Sequence, residues 1–176
     1  RDVERSRGLG DVYKRQMSGL GLGQLVMGPL SDRFGRRRPL LAGLVLFTVA
    51  SVACAFAPTV SVLVVCRLLQ ALGGSAGVVI ARAVVRDRCS GPRLVSVFAV
   101  LTVVVGLGPV IAPLLGSAIL LVGTWRTVFA VLAVIGALLV ISTAAWVGES
   151  LPADRRTAGG LGGAFVSYRV LFGDLR

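Results

Sequence analysis

Histidine is absent from the 176 residues, only one lysine occurs, and carboxylates number eight. Without histidine, and with so few scattered acids, a hydrolytic or metal-dependent active site has little to be built from. Charged residues make up 15% of the chain against 55% hydrophobic, and the mean hydropathy is +0.86. A soluble globular domain carries about a quarter charged residues, and a disordered chain far less apolar content. Both are excluded. The three cysteines, Cys54, Cys66 and Cys89, show no paired spacing. Two of them sit in apolar stretches and read as small buried hydrophobes. No G-x-G-x-x-G or G-x-x-x-x-G-K-[ST] phosphate loop is present, so nucleotide-driven chemistry has no support.

The charge that is present is arginine, and it is clustered. The net charge is +11, which in a soluble protein points to nucleic acid. Here the arginines lie in short groups between long apolar stretches and lack interleaved aromatics, so nucleic acid is not the expected partner. No charge occurs between Arg38 and Arg67, between Arg93 and Arg126, or between Arg126 and Glu149. A helix needs roughly 20 apolar residues to cross a bilayer. With Ala57-Pro58-Thr59 as a turn, the spacing predicts spans at 39–57, 60–82, 95–121 and 127–147. A further apolar stretch, 17–31, is too short to cross about 30 Å of hydrocarbon and reads as a truncated span. The fold class expected is therefore all-α integral membrane, with about five helices.

Orientation follows from the same arginines. Residues 31–38 hold Arg33, Arg36, Arg37 and Arg38, and residues 82–93 hold Arg82, Arg86, Arg88 and Arg93. The opposing connections hold no charge at 57–59 and only Arg126 at 122–126. Loops 31–38 and 82–93 are expected on the cytoplasmic side. Residues 1–16 break this alternation, carry the only lysine, Lys14, and read as a segment foreign to the natural fold. Residues 152–176 turn polar and Gly-rich and read as the start of a cytoplasmic linker. Residues 17–151 form the unit between them.

Three constellations carry possible function. In the first, Gly28-Pro29-Leu30-Ser31-Asp32-Arg33-Phe34-Gly35-Arg36-Arg37-Arg38, an acid and a basic cluster sit at the mouth of a helix. Asp32 is placed to pair with an arginine or with the positive end of a neighbouring helix. Such a contact holds one conformation and breaks in another. A topogenic basic loop explains Arg36 to Arg38 equally well but not Gly28, Asp32 and Gly35 at this spacing. The residues alone leave both readings open.

The second is an intramembrane charge, Arg67, which costs about 2.5–3.5 kcal/mol to insert and marks a functional position by default. At 100° per residue it shares a helix face with Gln70, Gly74, Gly77 and Ala81, while Leu68, Leu69, Leu72 and Val79 cover the other side. The competing reading has Arg67 snorkelling to the near surface. Gly73-x-x-x-Gly77 fits close helix packing but is too common a pattern to specify a partner. The third is Gly106-Leu107-Gly108-Pro109-Val110-Ile111-Ala112-Pro113-Leu114-Leu115-Gly116. Two prolines four apart distort a helix, and the glycines beside them permit close helix approach. A packing kink without a direct transport role is the plainer account.

The first stretch closely resembles the signature loop of the major facilitator superfamily, G-x-x-x-D-R-x-G-R-R, matched by Gly28, Asp32, Arg33, Gly35, Arg36 and Arg37. Arg67-x-x-Gln70 with Gly73 and Gly74 resembles that family's fourth-helix motif, with Ala71 where the motif has glycine. The proline-bearing stretch resembles the fifth-helix signature of its antiporters, with Ala112-Pro113 ahead of Gly116-Ser117 where many members carry a double glycine. In combination, residues 17–151 are similar to helices two to six of the bicyclomycin-resistance-like (Bcr/CflA) drug-resistance branch. This implies a partial N-terminal transporter half in the bacterial cytoplasmic (inner) membrane. It further implies proton-coupled export of small drug-like molecules by alternating access, with no cofactor and a proton gradient as energy source. Asp32 would then centre a latch between transporter halves, and Arg67 and Gln70 would line or flank a cavity. The partners implied are membrane lipid, the substrate and the remainder of the transporter chain. No carboxylate lies within a full span, so a proton-coupling acid would have to lie elsewhere, and this segment alone is expected to be inactive. A sugar or metabolite carrier and a small non-transporting membrane scaffold are the alternatives.

Overall fold

The structure is a computed structural model that describes Gln24, Gly28 and residues 30–150. The readings made for 1–16, for most of 17–31 and for 152–176 lie outside those residues. Among the described residues there is no strand. A helix running through Phe34 is followed by α1 (Arg37–Ala55), α2 (Val60–Arg88), α3 (Gly91–Val122) and α4 (Trp125–Trp146). All four numbered helices are long and apolar enough to cross a membrane.

The breaks between helices have local causes. Gly35 adopts φ +85°, a left-handed conformation that glycine takes at no steric cost, and it ends the preceding helix. Thr59, after Pro58, caps α2 by accepting the Val62 amide at 3.3 Å. Gly91 at φ +61°, followed by Pro92, starts α3. Thr124 and Thr127 form a reciprocal capping box that starts α4.

Both basic connections depart from expectation, and the loop expected over 31–38 is only Gly35 and Arg36. The loop expected over 82–93 is only Cys89 and Ser90, because α2 runs on to Arg88 and α3 begins at Gly91. Arg82, Arg86 and Arg88 thus lie on helix, and Arg93 lies in the first turn of the next one. A charge-based boundary marks where hydrocarbon stops. The backbone has no reason to stop there, since arginine is a good helix former and suits a helix C-terminus.

The core is the packing of α1 against α2 and α4. Gly43 and Gly73 bring α1 and α2 into backbone contact: a Cβ on Gly73 would lie 2.6 Å from both the Gly43 carbonyl oxygen and the Phe47 amide. Ala76 and Ile80 beside this crossing are fully buried. Gly136 lets α4 approach Phe47 and Thr48 in the same way. By contrast α3 has no buried residue and stays helical through Pro109 and Pro113. Its valines and leucines face outward, as surface for lipid or for further helices.

Gly73→Ala should therefore destabilise the bundle by about 1–3 kcal/mol, the usual cost of overpacking, in SDS titration of the intact transporter. Gly77→Ala, with nothing within 4 Å of the added Cβ, should change it by less than about 0.5 kcal/mol.

Candidate functional site: an arginine junction at one end of the bundle

Three carboxylates occur between residues 17 and 153, namely Asp32, Asp87 and Glu149, and all three meet at Arg36. The Arg36 guanidinium donates from Nη1 to Asp32 Oδ1 at 2.6 Å and from Nε to Asp87 Oδ2 at 2.8 Å. Nη1 also donates to Ser31 Oγ at 2.6 Å, and Ser31 Oγ donates to the Gly28 carbonyl. The Arg36 backbone amide donates to Glu149 Oε1 at 2.7 Å. These contacts place the start of α1, the end of α2 and the segment after α4 at one end of the bundle. Contacts converge on Arg36; Asp32 is one arm.

Arg36 is only 6% exposed. A buried guanidinium is tolerable only when paired. Burial works to lower its pKa, and the hydrogen bonds and charges of Asp87 and Asp32 outweigh that, holding the group above its ordinary value. A raised pKa means that the cation's contribution is complete below the ordinary arginine range and lost only above it. The junction's cation therefore persists throughout the physiological range.

Helix ends complete the arrangement. Glu149 supplies the anion at the N-terminus of α1, which has no acid in its own first turn. In return Arg37 Nη2 donates to the Ala144 carbonyl at 2.7 Å, near the C-terminus of α4. Each helix thus satisfies the other's unpaired terminal group. Gly35 is required for this: a Cβ there would run into the Glu149 carboxylate. Arg33 is exposed and lies over the Phe34 ring at 5.2 Å, apart from the junction. At Gly28 a Cβ would meet nothing within 4 Å, so its contribution is the carbonyl that accepts from Ser31.

The second constellation resolves into two parts. Arg67 Nη1 donates to Gln70 Oε1 at 3.1 Å, and Gln70 Nε2 donates to Ser51 Oγ at 2.7 Å. Ser51 Oγ donates in turn to the Phe47 carbonyl at 2.7 Å. The chain of donors joins α2 to α1, and Gln70 and Ser51 are buried. Arg67 also stacks over Phe129 of α4 at 5.1 Å, a cation–π contact that offsets part of its burial without any carboxylate. Gly74, Gly77 and Ala81 instead line a separate apolar cleft of about 360 Å³, with Phe47, Leu101 and Val105. Arg67 and Gln70 do not line it. The third constellation stands apart from both: Gly106, Gly108 and Gly116 have no neighbour within 4 Å of an added Cβ.

Asp87 and Glu149 are the residues that sequence reasoning missed. The available signal was scarcity: in so apolar a stretch each acid needs a cation, and spacing along the chain cannot say which. Among the described residues no group of histidine, cysteine and acid side chains could hold a metal ion. The three cysteines are free.

Membrane-length helices joined at one end by a buried ion cluster define an integral membrane helix bundle. Residues 16–175 match the Major Facilitator Superfamily, and the chain belongs to that family. It is 44% identical over 158 residues to the MFS-type transporter YdgK of Bacillus subtilis, covering 89% of this chain and 39% of the relative. Multidrug resistance protein D of Escherichia coli is 32% identical over 155 residues, 88% of this chain and 38% of the relative. A chloramphenicol resistance protein of Pseudomonas aeruginosa is 39% identical over 128 residues, 72% and 30% respectively. The chain thus spans less than two fifths of the length of these relatives.

Arg36→Gln should cost about 2 kcal/mol of bundle stability, because it leaves two carboxylates short of a partner. Arg38→Gln, at an exposed position, should change it by less than about 0.5 kcal/mol. Parallel SDS titrations of the two variants check the difference.

Proposed function

We propose that this chain is part of a multidrug efflux transporter of the bacterial cytoplasmic membrane, within the bicyclomycin-resistance-like branch. The intact protein exports small drug-like molecules by proton antiport, with the basic end of the bundle cytoplasmic. The names of two of the relatives, a multidrug resistance protein and a chloramphenicol resistance protein, support export. The arginine distribution supports the sidedness. Arg36 anchors a conformational latch, and Asp32 is its outward-facing arm.

One observation carries the latch. Asp32 is held by Arg36 through Oδ1 alone, its side chain is 45% exposed, and Oδ2 has no partner among the described residues. An acid fixed on one side and open on the other is ready to accept a donor from the remainder of the transporter. When that donor withdraws, Asp32 stays paired with Arg36, so the transporter half itself does not come apart. Arg67 and Gln70 brace α2 against α1 beside the apolar cleft, which receives the substrate's hydrophobic part.

The test is a drug-susceptibility and inverted-vesicle export assay on the intact transporter. Asp32→Asn should reach the membrane at wild-type levels and lower export at least about tenfold, the effect of about 1.4 kcal/mol in the balance between two states. Normal export by this variant would sink the latch. Arg67→Leu should also reduce export, and its normal export would leave Arg67 as a packing group alone. A protonophore should abolish wild-type export; persistence would overturn proton coupling.

A further inference from the structure

Part of the basic charge at this end of the bundle lies outside the Arg36 junction. Beside the junction opens a cavity of about 390 Å³, lined among others by Asp32, Arg36, Arg82, Arg86, Val79 and Phe98, with Gln24 at its edge. Arg82 and Arg86 are one helical turn apart on α2 and face the same space. Neither makes an ion pair or hydrogen bond with any described residue, whereas Arg36 is already held by Asp32 and Asp87. Like charges at this spacing repel. Topology alone asks for basic residues in the segment; it does not ask for two guanidiniums that no described residue pairs, in a cavity whose one carboxylate, Asp32, is already held by Arg36.

Depth in the membrane identifies the counter-ion. Helix α2 has 29 residues and rises about 43 Å, some 13 Å more than a hydrocarbon core of about 30 Å. The excess lies at the arginine end, where residues 82–88 reach the headgroup layer. Val79 and Phe98 wall the cavity on the side nearer the bilayer centre. The space is therefore basic towards the water and apolar towards the acyl chains.

We infer that this cavity binds the phosphate of an anionic phospholipid from the adjoining leaflet. Arg82 and Arg86 clamp the phosphodiester, and Val79 and Phe98 pack on the first carbons of the chains. Guanidinium groups suit this, since a paired fork of N–H donors matches two phosphate oxygens. The lipid neutralises the arginine pair and fills the space between α2 and α3.

The experiment is native mass spectrometry of the intact transporter titrated with phosphatidylglycerol, using phosphatidylcholine as the neutral reference. Wild type should retain one phosphatidylglycerol in preference to phosphatidylcholine. Arg82→Gln/Arg86→Gln should weaken that binding about thirtyfold, and Arg38→Gln, at the same end but outside the cavity, should leave it unchanged. If the double variant does not elute as folded protein, Arg86→Gln is measured in its place, with about fivefold weakening expected. Equal weakening by Arg38→Gln means diffuse attraction and overturns the site. Displacement of the lipid by millimolar inorganic phosphate, irrespective of headgroup, makes it a soluble-anion site and overturns the lipid. Absence of retained phosphatidylglycerol, with Arg82 crosslinking to an acid elsewhere in the transporter, overturns it as well. None of these outcomes depends on export, so failure here is distinct from failure of the transporter reading.

Discussion

A guanidinium that is almost completely buried at the edge of a membrane must have its charge met, and Arg36 meets that demand with two carboxylates. Its side chain engages Asp32 and Asp87, and its backbone amide engages Glu149. Three segments spread over more than a hundred residues of chain are tied together at this residue. Removing one carboxylate leaves a guanidinium that water barely reaches with half of its compensation, so the cluster behaves as a unit. The exchange between α1 and α4 reinforces it, since Glu149 meets the start of one helix and Arg37 the end of the other.

Away from this end, small residues and neutral polar groups hold the bundle. Gly43 and Gly73 let α1 and α2 approach to backbone distance, Gly136 lets α4 close on the Phe47 and Thr48 side chains, and Ala76 and Ile80 fill the space beside the crossing. In lipid, apolar side chains have no water to escape, so close packing and interhelical hydrogen bonds drive association. The Arg67, Gln70 and Ser51 relay is such a bond chain, extended by the stack of Arg67 on Phe129. It explains how Arg67 is accommodated in the apolar part of α2 with no acid beside it.

Helix α3 stands outside this economy of contacts. It is the longest helix, has no buried residue, and carries its two internal prolines on an unpartnered surface. Its glycines meet no neighbour among the described residues. The uncompensated arginines of α2 lie next to it, and the lipid assigned to them would cover part of that open side.

Much of the architecture was legible in the chain. Four apolar runs bounded by arginines determine four membrane helices, because hydrocarbon excludes charge over a fixed length. The stretch from Gly28 to Arg38 marks the end of the bundle where the ion cluster forms, because its acid and arginines lie together at a helix boundary. The ends of α2 and α3 were not legible, since helix geometry continues past the point where hydrophobicity stops. Nor was the centre of the junction: the motif draws attention to Asp32, while the fold makes Arg36 the residue on which Asp87 and Glu149 converge. That choice belongs to tertiary structure. Pairing between charges depends on distance in space, and only the packing of α1 against α2 and α4 brings Asp87 to the guanidinium of Arg36 and Glu149 to its backbone amide.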